Sequence, residues 1–210
     1  MRFILSAILV LAAAIPSFCR TAKDFFVSDT TAIVFPVLSQ SSRLDMLDYY
    51  NVGASKETKN LLGGTSILLK ATSQYLQLKM SDVSSVEVWI PDTVTPKTLY
   101  VVNRTYLTPT PDGNIDVYDS NMQKLDKVFK MPEVKDFVRI PKGDKKKAKD
   151  VVSMVDMLFL SFTIDAESGM ITATQNLDQF LVPEEYKALK PYLLKSIHYK
   201  WTGKKYKLMK

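Results

Sequence analysis

Two runs, Tyr75-Leu76-Gln77-Leu78-Lys79-Met80 and Ser85-Val86-Glu87-Val88-Trp89-Ile90, decide how the rest of the chain is read. Leu76, Leu78 and Met80 alternate with Tyr75, Gln77 and Lys79, and Val86, Val88 and Ile90 alternate with Ser85, Glu87 and Trp89. A period of two places each set on its own face, which predicts half-buried strands and excludes a helix. The polar break Ser81-Asp82-Val83-Ser84 is short enough for a hairpin, so the pair is antiparallel. The stretch from Ser66 to Ile90 is therefore the centre of a sheet. One face of that sheet has to be covered, and the flanking segments are the available cover.

Downstream, Leu99 to Leu107 is rich in β-branched and aromatic residues and reads as a strand. Pro109-Thr110-Pro111-Asp112-Gly113 is a turn signal, with Ile115 to Tyr118 as the returning strand. Asp119 to Lys130 is a connection, and Pro132 to Ile140 is either a short helix or an edge strand. Pro141 to Asp150 is lysine-rich, with no apolar residue larger than alanine, and reads as an exposed loop. Beyond it, Met157 to Ile164 and Met170 to Thr174 flank Asp165-Ala166-Glu167-Ser168-Gly169 as a third hairpin. Pro183-Glu184-Glu185 suits the first turn of a helix running to about Leu189, where Pro191 ends it. Ser196 to Trp201, Thr202-Gly203 and Lys204 to Met209 make a fourth hairpin.

Upstream, Ile33, Val34, Val37, Leu38, Leu44, Met46, Leu47 and Tyr50 fall near helical spacing over Thr31 to Tyr50, with Asp29-Thr30-Thr31 as a cap. Pro36 allows either one helix that starts late or two short ones. Gly53 ends this segment and Gly63-Gly64 opens the sheet. The blocks Phe35-Pro36-Val37-Leu38, Arg43-Leu44-Asp45-Met46-Leu47-Asp48-Tyr49-Tyr50, Asn60-Leu61-Leu62-Gly63-Gly64-Thr65-Ser66 and Tyr75-Leu76-Gln77-Leu78 resemble an uncharacterised family of small exported proteins of gut anaerobic bacteria. That resemblance implies export and brings no catalytic residues. A strand, glycine turn, strand and proline-led acidic start recurs at Leu99, Gly113, Ile115, Pro132-Glu133 and at Met157, Gly169, Ile171, Pro183-Glu184. The layout is similar to the tandem helix-on-sheet units of PepSY-like and β-lactamase-inhibitor-like proteins, an analogy of fold that says nothing of activity.

The amino terminus reads as a secretory signal peptide: Arg2, an apolar run from Phe3 to Ile15, then Pro16-Ser17-Phe18-Cys19 as the cleavage region. The run is too short for a membrane span, which needs about 20 residues. Cleavage after Cys19 leaves a cysteine-free mature chain and excludes disulfides, thiol nucleophiles and thiolate metal sites. Lipidation at Cys19 is disfavoured by bulky Phe18. The 46% hydrophobic and 10% aromatic content excludes disorder as the dominant state. The net charge of +6 gathers at Lys142, Lys145, Lys146, Lys147 and Lys149 and at Lys200, Lys204, Lys205, Lys207 and Lys210. Such clusters read first as a solvated loop and a charged edge strand that resists sheet-to-sheet aggregation, and otherwise suit an anionic membrane surface or acidic glycan; nucleic acid is the least expected partner of an exported chain.

Reactive groups are few. His198, the sole histidine, lies in a strand-like run whose other face holds Ile197, Tyr199 and Trp201, and no nucleophile elbow accompanies it. Asp45 and Asp48 are three apart on a helix and could form a hydrolytic pair or a solvated surface pair. Asp112-Gly113-Asn114-Ile115-Asp116 holds only a fragment of a calcium loop. Asn103-Arg104-Thr105 fits a glycan acceptor but falls inside a strand. Trp89, Tyr100, Tyr106, Tyr118, Tyr199 and Trp201 all fall on predicted strands. Several on one open face would make a platform for a sugar, peptide or lipid; cross-strand packing would use the same residues.

The expectation is an α+β protein, an antiparallel sheet of several hairpins with helices packed on one face, or two tandem helix-plus-sheet units. It divides into a signal peptide at 1–19 and one α+β domain at 20–210, with a break near 141–150 if there are two units. Functionally it is an exported, non-enzymatic binding or accessory protein of the periplasm or outer membrane, with a protein, glycan or lipid partner and neither cofactor nor metal. A carboxylate-dependent hydrolase and a lipid carrier are the alternatives.

Overall fold

The computed structural model describes residues 21–94, 97–107, 109–140 and 145–209. The signal-peptide segment with Cys19 lies outside them, as do Lys142 and Lys210. Two short helices come first, α1 (Ala22–Val27) and α2 (Gln40–Asn51), followed by strands β1 (Thr58–Lys59), β2 (Thr65–Ala71), β3 (Tyr75–Ser81), β4 (Ser84–Trp89), β5 (Leu99–Tyr106) and β6 (Asp112–Asp119). These strands pair in sequence order as one antiparallel meander. Helices α3 (Val134–Phe137) and α4 (Lys145–Ser153) lead to β7 (Leu160–Ile164) and β8 (Ile171–Gln175). Helices α5 (Leu177–Phe180) and α6 (Pro183–Leu189) then lead to β9 (Ser196–Trp201) and β10 (Tyr206–Leu208). The last four strands form a second antiparallel sheet in the order β10-β9-β8-β7. The class is α+β, as expected.

The alternation read from the sequence is the register found. Leu76 faces Val88 and Leu78 faces Val86, and the chain turns where Ser81 pairs with Ser84. Leu76, Leu78, Met80, Val86, Val88, Tyr100 and Val102 turn to the helical side and pack with Phe25, Phe26, Phe35 and Met46. Tyr75, Trp89, Val101, Ile115 and Val117 turn the other way and meet Phe162, Ile164, Ile171 and Ala173 of the second sheet. The six-stranded sheet is thus the middle layer of three. Its burial on both sides explains why Glu87 and Asn103 are interior polar residues.

Those two side chains hold the layers together. Strand β7 is an edge of the second sheet, and its outward backbone groups lie against the first sheet, buried at Phe162 and Ile164 and part-buried at Leu160. The Phe162 carbonyl accepts from Asn103 Nδ2 at 2.8 Å, and the same nitrogen donates to Glu87 Oε2 at 2.7 Å. The Ile164 amide donates to Glu87 Oε2 at 3.3 Å and the Leu160 amide to Asp112 Oδ1 at 3.0 Å. Tyr75 donates its hydroxyl to Glu87 Oε1. Burial, first, and then this bond to the carboxyl push the Tyr75 phenol well above its ordinary value. An unsatisfied buried group would cost about 1–3 kcal/mol.

Local signals account for most element ends and for the differences from expectation. Helix α1 was not anticipated; it starts at a capping box in which Thr21 Oγ1 accepts from the Asp24 amide at 3.1 Å and Asp24 Oδ2 accepts from the Thr21 amide at 3.0 Å. Helix α2 begins at Gln40, later than the cap at 29–31 suggested, because Pro36 falls in the turns before it and Ser39 takes the cap by accepting from the Ser42 amide at 3.1 Å. Pro132 to Ile140 holds both predicted forms in part: helix α3, then a single bridge from Val138 to Leu193. The lysine-rich stretch is helical from Lys145, not a loop: Val151 on α4 and Val155 just beyond it reach the core, and a face that binds only through its apolar side is easily masked by charge.

Glycine has two distinct uses here. Asp112-Gly113 is not the turn; Gly113 pairs with Thr105 inside β6, where a Cβ would stand 2.4 Å from the Arg104 carbonyl oxygen. Gly169 is a turn glycine at φ +65°, and a Cβ there would lie 2.1 Å from the Trp89 ring. Gly53 also has positive φ, +75°, but open space around it. Gly53→Ala therefore pays only left-handed strain, about 1 kcal/mol, while Gly169→Ala adds overpacking of about 1–3 kcal/mol. Urea titration should show the second midpoint falling clearly further than the first; equal losses would mean that Trp89 yields freely.

Candidate functional site

The six aromatic residues do not share an open face. Tyr100 and Tyr118 are buried beneath the helices, with the Tyr100 ring 4.2 Å from Phe25. Trp89 and Tyr199 are buried between the sheets. Burial raises the Tyr199 phenol above its ordinary value, and Asp136 adds to that. Trp201 is half-buried at the sheet's end, and its indole N–H donates to the Asp92 carbonyl at 2.7 Å. Tyr106 alone of the six is exposed. Most of the set therefore does the cross-strand packing that was its other expected use.

Other candidates also separate. Asp45 and Asp48 stand in solvent on α2, while Arg43 between the same turns points inward, donating from Nη1 to Thr31 Oγ1 at 2.7 Å above the Phe35 ring. His198 is exposed on the polar outer face of the second sheet, with Nδ1 3.0 Å from Thr172 Oγ1. Asn103 of the acceptor-like triplet is interior, so its amide is committed to Glu87 and Phe162. Among the described residues no group of three or more metal-ligating side chains converges. Nor is any described helix long and apolar enough to cross a membrane.

What the structure does assemble is a groove at the end of the first sheet that α2 leaves uncovered. Its volume is about 240 Å³, and it is lined by Val34, Pro36, Val37, Leu62, Met80 and Val86, with Ser84, Ser85, Arg104 and Tyr106. One wall is the Phe35-Pro36-Val37-Leu38 block. Adjoining it is the Asn60-to-Gly64 loop, whose Leu61 amide donates to the Val37 carbonyl at 2.9 Å and which is tied by Asn60: its Oδ1 accepts from the Leu62 and Gly64 amides at 3.1 and 3.0 Å, and its Nδ2 donates to the Met80 carbonyl at 3.1 Å. Gly63, at φ +82°, closes the turn and leaves Leu62 82% exposed over the groove. Blocks singled out only by resemblance thus become its two walls.

Arg104 is the charged member of this lining, and its side chain is only 15% exposed. Its position on β5, diagonal to Asp116 on β6, sets the contact: Nη1 meets Asp116 Oδ2 at 2.7 Å, while Lys124 takes Asp116 Oδ1 at 2.6 Å. Burial alone would raise the Asp116 carboxyl, but the bond from Lys124, the two cations and Asn114 outweigh it and hold it below its ordinary value. Arg104 Nη2 reaches the Ile33 carbonyl and the Tyr118 hydroxyl, each at 3.4 Å. A mostly apolar groove with one fixed polar group is the usual form of a ligand site.

A second cavity, about 490 Å³, lies between the end of α4 and helices α5 and α6, lined by Met154, Met157, Phe180, Leu181 and Leu189. It is larger, but its polar members Asp156 and Glu185 are exposed and unanchored by comparison with Arg104. Pre-positioned groups lose less freedom on binding, so the smaller groove is the better-built site.

A family model for proteins of unknown function, DUF3256, matches residues 14–206. The chain belongs to that family. Among solved structures, one of a domain of an uncharacterized protein from Porphyromonas gingivalis W83 is similar, with a TM-score of 0.74 at 19% identity, covering 92% of this chain and 96% of that one. Similarity at this identity carries the DUF3256 fold and not an activity. Comparison with curated proteins gives no match.

Asp116 supplies the pH test of this cluster. Because its folded pKa is depressed, its stabilisation is complete above the unfolded value of about 3.9 and is lost as pH falls through the lower folded value. Asp116→Asn should lower stability near neutral pH and flatten the decline below about pH 4. An unchanged acid limb in denaturant titrations would show that the cluster does not hold the groove.

Proposed function

We propose that this is an exported, non-enzymatic binding or accessory protein of the periplasm or outer membrane, and that it holds a small amphipathic ligand in the groove that these two loop segments form with the end of the first sheet. The observation that carries the reading is the fixed guanidinium of Arg104 in a mostly apolar lining that also holds the exposed side chains Leu62 and Tyr106. Isolated apolar side chains are ordinary on a surface, whereas a cluster beside a concavity marks a contact site. Export is supported by the charged start at Arg2 and the short apolar run from Phe3 to Ile15. The hydrolase reading has less support, since neither Asp45 nor Asp48 lines either cavity.

A neutral fluorescent probe, N-phenyl-1-naphthylamine, tests the site without bias toward charge. Its emission should rise saturably with the intact protein. Leu62→Asp, a change at an exposed loop position that leaves the core alone, should weaken binding by about tenfold or more, the cost of placing a charge in an apolar contact. Met154→Asp in the other cavity should leave it unchanged. The reverse pattern would move the site to the second cavity, and no saturable signal at all would refute the binding reading.

A further inference from the structure

The chemistry of the groove narrows its ligand, an inference that rests on the binding reading above. The charged side chain in the lining is a cation. Asp116 does not cancel it, because the carboxylate is shared: Oδ2 goes to Arg104 and Oδ1 to Lys124, two cations on one anion. Two neighbouring carboxylates face elsewhere. Asp112 accepts from the Leu160 amide at the start of β7, and Asp126 lines the neighbouring cavity on the Lys124 side.

The donor side of Arg104 is equally specific. Nη1 is spoken for at 2.7 Å, but the contacts of Nη2 with the Ile33 carbonyl and the Tyr118 hydroxyl are both at 3.4 Å, the long limit for such bonds. A carboxylate oxygen arriving from the groove would make a shorter, charge-assisted bond, about twice as strong as one between neutral partners. Tyr118 lies beneath, its ring 6.0 Å from the guanidinium carbon, and keeps the planar group in place. The rest of the lining gives a ligand tail mostly apolar contacts, with the Tyr106 phenol and the Ser84 and Ser85 hydroxyls as its neutral polar groups, Ser84 already bonded to Ser81 at 2.7 Å.

Size sets the final limit. At about 240 Å³ the trough falls below the roughly 300–1,000 Å³ usual for drug-sized molecules. A single slim chain fits that space, and its far end can lie along the exposed Leu62 and Tyr106 at the mouth. We infer that the groove binds a free, medium-chain fatty acid, its carboxylate on Arg104 and its aliphatic tail along Val34, Val37, Leu62, Met80 and Val86.

Calorimetric titration of the delipidated full protein with decanoate, decanol and decylamine, three ligands with one tail, tests this near neutral pH. Decanoate should bind at least about tenfold tighter than decanol, the equivalent of about 1.4 kcal/mol, and decylamine should bind weakest. In Arg104→Met the decanoate advantage should vanish while decanol binding persists; Arg104→Lys should restore part of it. Should Arg104→Met fail to fold, the three-ligand comparison on the unaltered protein still decides. Equal or tighter binding of decanol overturns the fatty-acid assignment while leaving the groove as a binding site. Failure of all three ligands together with the neutral probe defeats the groove itself.

Discussion

The structure depends on how one sheet edge is buried. Strand β7 has no strand on its outer side, and an uncovered edge must be hydrated or satisfied by other groups. Here it is laid against the face of the six-stranded sheet, and Glu87, Asn103 and Asp112 supply the missing partners. Neutral donors surround the Glu87 carboxyl: the Tyr75 hydroxyl, the Asn103 amide and the Ile164 backbone N–H. Such a network is strong only when every member is satisfied, so it fixes one docking geometry for the two sheets.

The rest follows from that docking. With its inner face occupied by the second sheet, the first sheet must be closed on its other face by the short helices at the start of the chain. Phe25, Phe26 and Phe35 reach Tyr100 and Leu76 there, and Arg43 ties the intervening turn through Thr31. Two helices of 6 and 12 residues cannot roof six strands. The uncovered end, from Ser84 across to Arg104 and Tyr106, becomes the groove, and the loop at Asn60 overhangs it. The candidate site is therefore what the cover leaves open, with the charge cluster at Asp116 providing its polar end.

Much of this layout was legible in the sequence. Period-two alternation located β3 and β4 to within a residue, and Asp165 to Gly169 and Thr202-Gly203 marked two hairpins because their turns need positive φ at glycine. What failed were cases where a local signal had a second meaning. Asp112-Gly113 reads as a turn, yet the glycine is there for close approach to Arg104. The lysines of 145–149 read as a loop, yet α4 is anchored through Val151 and Val155. Glu87 shares a predicted face with Ser85 and Trp89, and Asn103 has only a predicted place inside a strand, since alternation reports which residues share a face but not that a second sheet covers it. The groove was invisible for a similar reason: Arg104 meets Pro36 and Leu62 only through tertiary packing, and nothing in their spacing along the chain announces it. Of the six aromatics only Tyr106 lines the groove and Tyr118 backs its arginine, while Trp89, Tyr100 and Tyr199 serve as buried area and Trp201 is half-buried at the sheet's end.

The buried edge of β7 is tested most directly by amide hydrogen exchange at Leu160 and Ile164. Edge-strand amides normally exchange quickly, but these two are expected to be protected nearly as well as the central amides of β8, and Asn103→Leu is expected to cost about 2–4 kcal/mol in stability and to expose Ile164 selectively. Fast exchange at both positions in the unaltered protein, or an Asn103→Leu variant as stable and as protected as its parent, would contradict the account.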